Sequence, residues 1–88
     1  METNEVLRKQ IFRIIGNQLR ANNPPETKAT LIRLKKEGFN DFQTRQLIGQ
    51  CVVVEIFDSI KNRKPFNEKR YIKNLKALPK NPVDELFE

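Results

Sequence analysis

Three groups in this 88-residue sequence have side chains whose type and spacing could carry chemistry: Glu55, Cys51 and a run of cations from Lys61 to Lys76. Glu55 stands four residues after Cys51, three after Val52 and seven after Ile48, an ionisable group among apolar neighbours at helical spacing. A carboxylate so placed must be paired or protonated. Arg13, Arg33 or backbone amides at the start of the second helix are the partners on offer, and Glu55 with Arg33 is the candidate buried ion pair. A catalytic carboxylate normally works with a second group, and the pattern supplies none. The chain has no histidine, which removes the commonest general base and the commonest transition-metal ligand. Cys51 is the single cysteine, so it forms no internal disulfide; without cationic neighbours in sequence it reads as a small core residue. No catalytic, cofactor or metal site is expected, and the chain is read as non-enzymatic.

The cations are unevenly spread. Residues 1–60 carry nine basic and seven acidic groups, residues 61–80 eight and one, and residues 81–88 none and three. The excess of positive charge therefore sits in residues 61–80. Lys69, Lys73 and Lys76 recur at spacings of four and three, with Arg70 beside them and Lys61, Arg63 and Lys64 just before. A phosphate backbone could be followed by such a face, so these seven residues form the candidate polyanion-binding site, with nucleic acid as the possible partner. The competing explanation is the solvated side of an amphipathic helix.

Four helices must position these groups, at about 4–21, 24–37, 41–63 and 68–78. Thr3 or Asn4 can cap the first, whose stripe is Leu7, Ile11, Ile14, Ile15 and Leu19, with Gly16 inside it. Asn22-Asn23-Pro24-Pro25 ends it, and with Asn23 as N-cap, Glu26 falls at the third helical position of a capping box. Gly38 stops the second helix in the left-handed conformation. Asn40 with Gln43 reads as another capping box; Asn67 caps the fourth helix, where Phe66 and Tyr71 close a hydrophobic staple.

The third helix organises the rest. Leu47, Ile48, Cys51, Val52, Val53, Val54, Ile56, Phe57 and Ile60 run nearly all the way round a 3.6-residue wheel, as expected of a buried helix. The expected architecture is all-α: a compact four-helix domain over residues 1–80 around this long, nearly fully apolar helix, followed by an acidic tail at 81–88. Either helices 1, 2 and 4 wrap it fully or they leave some of its apolar surface over for a two-fold contact. Leu47, Cys51 and Val54 share one side and are the candidate self-association face. Helix 2, Gly38-Phe39-Asn40 and the start of helix 3 also have helix-turn-helix spacing, with Gln43, Thr44, Arg45, Gln46 and Gln50 of base-reading type, and the same turn looks like that of ubiquitin-associated domains. In the tail, Val83, Leu86 and Phe87 alternate with acidic residues, a pattern suited to docking or to folding back.

The ordered string Asn23-Pro24-Pro25-Glu26-Thr27, Arg33-Leu34, Gly38-Phe39, Leu47-Ile48, Glu55-Ile56, Pro65-Phe66-Asn67, Arg70-Tyr71 and Leu78-Pro79 resembles small bacterial all-helical proteins of unknown function with an Asn/Asp-Pro-Pro-Glu-Thr helix start. The likeness covers about residues 5–79. It implies a bacterial, cytoplasmic four-helix protein and supplies no activity. With no apolar run of membrane-spanning length and no signal-peptide core at the N-terminus, a cytoplasmic location and no membrane or metal partner are expected. The functional expectation is a small interaction or assembly module that self-associates or docks on a protein partner, with polyanion binding as the alternative.

Overall fold

Helix stops in this chain are written locally, and most are where the residues put them. The computed structural model describes the backbone of residues 2–80 and the side chains of residues 5–80, so the acidic tail lies outside the described residues. Four α-helices and no strand occur among them: α1 (Glu2–Ala21), α2 (Pro25–Lys36), α3 (Asp41–Asn62) and α4 (Glu68–Ala77). Gly38 sits at φ 109° just past α2. The Phe39 amide then donates to the Leu34 carbonyl at 3.1 Å and the Gly38 amide to that of Lys35 at 3.1 Å, the Schellman pair of bonds. Asn40 and Gln43 form the expected capping box, their side chains each accepting the other's backbone N–H at 2.7 and 2.9 Å. Asn67 accepts the Arg70 amide at 3.0 Å, and the Phe66 ring meets Tyr71 edge-on at 5.2 Å.

Two helix starts differ from expectation. α1 begins at Glu2, so Thr3 and Asn4 lie inside it and are not its caps. α2 has Pro24 at its N-cap with no side-chain cap bond, because Asn22 turns left-handed at φ 50° and the Asn23 amide bonds back to the Gln18 carbonyl at 3.0 Å. Asn23 thus closes α1 and does not open α2.

Ile11 and Ile15 from α1, Leu34 from α2, Ile48, Cys51 and Val52 from α3, and Tyr71, Leu75 and Leu78 at α4 form one buried cluster. α2 and α3 each pack against all three other helices, so the centre expected of α3 alone is shared. α1 meets α3 closely: a Cβ on Gly49 would stand 3.1 Å from Ile11 Cγ2. At Gly16 the same atom would meet only the Arg20 guanidinium at 3.5 Å, so that glycine has no packing role.

α3 is not buried all round. Phe42 is 49% exposed, Phe57 46% and Ile60 72%, three of the six large exposed hydrophobic residues among those described. The opposite side of the helix, with Thr44, Ile48, Cys51, Val52 and Glu55, is buried.

Candidate functional site

Glu55 is fully buried, and its partner is Arg70. Arg70 Nε donates to Oε2 at 2.6 Å and Nη2 to Oε1 at 2.9 Å, a two-point clamp of guanidinium on carboxylate. The Asn67 amide adds a third bond to Oε1 at 3.2 Å. Arg70 Nη2 also reaches Asp58 Oδ2 at 2.8 Å, one helical turn beyond Glu55. Glu55, followed by Asp58, stabilises the charged guanidinium and pushes the Arg70 pKa up. The bond from Arg70, then that from Asn62, holds the Asp58 carboxyl below its ordinary range. With three N–H donors on it and no solvent, the Glu55 carboxylate is a clamp between α3 and α4.

Arg33, the expected partner, is elsewhere. Its Nη1 donates to Glu37 Oε2 at 2.7 Å and to the Leu78 carbonyl at 3.1 Å, and its Nη2 to the Leu75 carbonyl at 3.1 Å. Arg33 therefore satisfies carbonyls left over at the C-terminal end of α4. A ten-residue helix is marginal by itself. α4 is held by an anion from α3 at its positive end and a cation from α2 at its negative end, both complementary to the helix dipole.

A second polar cluster joins α1, α2 and α4. The Thr27 and Tyr71 hydroxyls both donate to Gln18 Oε1 at 2.7 Å. Burial pushes the Tyr71 phenol up to about 12. It also lifts the Cys51 thiol to about 12, with Glu55 contributing, which makes Cys51 an unreactive core residue at neutral pH.

The candidate self-association residues fall on the wrong side of α3. Cys51 and Val54 are buried, and only Leu47 reaches a surface groove. This groove, with a volume of about 550 Å³, lies between α1 and the first two-thirds of α3, with Phe39 from the preceding turn. Leu7, Ile11, Phe12, Leu47 and Val53 supply its apolar walls, and Gln43, Gln46 and Gln50 its rim. Phe12 meets the exposed Phe42 edge-on at 5.9 Å. Of eleven lining residues only Arg8 is ionisable. Among the side chains suited to reading bases, Thr44 is buried and Arg45 is tied to Asp41 at 2.9 Å, leaving the three glutamines outward.

Of the seven candidate polyanion-binding residues, Arg70 is consumed by Glu55 and Asp58. Lys61, Arg63, Lys64, Lys69, Lys73 and Lys76 are exposed, with no carboxylate within ion-pair distance among the described residues. Among the described residues there is no group of acidic, cysteine or histidine side chains that could hold a metal ion, and no helix is long and apolar enough to cross a membrane. Comparison with protein-family models, curated proteins and solved structures returned no match.

Proposed function

We propose that this chain is a non-enzymatic interaction and assembly module that pairs with a second copy of itself through the α1/α3 groove. The observation that supports this is the groove itself: an apolar trough, rimmed by glutamines and carrying one charge, on a chain in which 32% of the residues are charged. A two-fold contact sets each surface against its own copy, so a neutral patch is where like charges least oppose it. α3, 22 residues and about 33 Å long, presents Leu47 and Val53 to the trough, with the exposed Phe42 against Phe12 beside it, a span suited to helix packing across the axis. Glutamines at the rim can bond one another across the contact without a desolvated charge.

Sedimentation equilibrium over a wide concentration range tests this reading. The expected mass rises from one chain towards two, and Gln46→Lys with Gln50→Lys holds it at one while helicity by circular dichroism is unchanged. Both positions are exposed, so the substitutions leave the core alone. A wild-type mass of one chain throughout the series contradicts the proposal.

A second reading rests on the six cations of residues 61–76 that have no carboxylate within ion-pair distance among the described residues, which suit a polyanion. It expects binding of a labelled duplex that weakens steeply with salt and is reduced in the Lys69→Ala, Lys73→Ala, Lys76→Ala variant.

A further inference from the structure

The far end of α3 differs from the groove. Phe57 and Ile60, three residues apart, share a side of the helix with Lys61, four residues after Phe57, and Arg63 and Lys64 follow just past the helix end. All five are exposed, and Ile60, at 72%, is the most exposed of the large hydrophobic residues described. The chain then leaves the helix through Arg63, which takes the left-handed conformation at φ 52°, into a segment where Phe66 is exposed as well. None of these cations has a carboxylate within ion-pair distance among the described residues. This corner is thus apolar at its tip and cationic around it.

We infer that the C-terminal corner of α3 docks peripherally on an anionic lipid surface, with Ile60 and Phe57 entering the interface and Lys61, Arg63 and Lys64 meeting the headgroups. Lying on a bilayer needs no spanning helix, so this contact is compatible with a chain that has none among its described residues. A second copy does not suit the corner, since a two-fold contact there would bring three cations against three. A single nucleic-acid strand suits it less than lipid. Base stacking needs flat π faces, and Phe57 alone offers an unstacked one here, since Ile60 has none and the Phe66 ring is already packed edge-on against Tyr71. An apolar phase with fixed negative charge at its boundary satisfies both halves of the corner at once.

The test is co-sedimentation of the full chain with vesicles of phosphatidylcholine alone and of phosphatidylcholine with phosphatidylglycerol. Binding is expected on the anionic vesicles only. Ile60→Ser should weaken it by about tenfold or more, from the lost transfer of one large aliphatic side chain. Lys64→Ala should weaken it roughly fivefold, while Lys28→Ala, an exposed charge on α2, changes it less than twofold. These positions are exposed, so the variants fold, and the groove-dependent mass change is unaffected by them. Failure to bind anionic vesicles even at low salt overturns the inference, as does wild-type binding by Ile60→Ser, which would reduce the contact to general charge attraction. Tighter binding to a labelled single-stranded oligonucleotide, lost in Phe57→Ala, would overturn it in favour of nucleic acid.

Discussion

The inner and outer sides of α3 are built on opposite terms. Inside, a charged group is fully buried, and every oxygen it offers is used: Glu55 takes three N–H bonds from Arg70 and Asn67. Outside, large apolar groups stand in water, with Phe42, Phe57 and Ile60 on view beside half-buried Leu47 and Val53. The inner arrangement is complete within the chain, so it speaks of architecture. Among the described residues nothing covers the outer one, and it is there that an outside contact is proposed. A buried carboxylate is therefore a poor guide to an active site unless some of its bonding capacity is left open.

The comparison breaks most readily at Arg70. Arg70→Ala leaves Glu55 buried without its countercharge, and a stability loss of about 3–5 kcal/mol is expected in denaturant titration. A loss below 1 kcal/mol would mean that water reaches the inner side as readily as the outer. The two helix glycines sharpen the contrast at the next level. Gly16→Ala should gain about 1 kcal/mol from helix propensity, whereas Gly49→Ala should gain nothing, because its methyl meets the buried Ile11; the gap between them is about 1 kcal/mol in thermal melts.

Outer-side changes should be nearly silent in stability. Phe57→Ser and Ile60→Ser are expected to stay within about 0.5 kcal/mol of wild type, since neither fills the core. The finest test is pH. Asp58 has its pKa lowered from an ordinary 3.8 on folding, so its stabilising contribution is present above that value and lost as pH falls through the folded pKa. The stability difference between wild type and Asp58→Asn should therefore be present at neutral pH and shrink in acid, followed by urea titration at each pH.

What was legible in the residues follows the range of the interactions. The Asn40/Gln43 box, the Gly38 stop, the Asn67 cap and the Phe66/Tyr71 staple are formed within six residues, and they were readable. Burial of Glu55 was suggested by its apolar neighbours, but its partner lies fifteen residues on in another helix, which no periodicity encodes. The surplus apolar surface of α3 was also readable, but its direction was not. A helix apolar on every side of the wheel has no phase to tell inside from outside, and the side shared by Leu47, Cys51 and Val54 lies about a third of a turn from the exposed one. The Lys69 to Lys76 spacing was plain; that Arg70, in the midst of it, turns inward was not.

Pairing of two copies through the α1/α3 groove is open to test by an amide NMR dilution series. Shifts that move with concentration are expected to cluster at Phe42, Gln46, Leu47, Gln50 and Val53, with the Arg70 Nε–H signal unmoved because the Glu55 clamp is the same in one chain and in two. Shifts that stay fixed across the series, or that move first around Glu55 and Arg70, would contradict it.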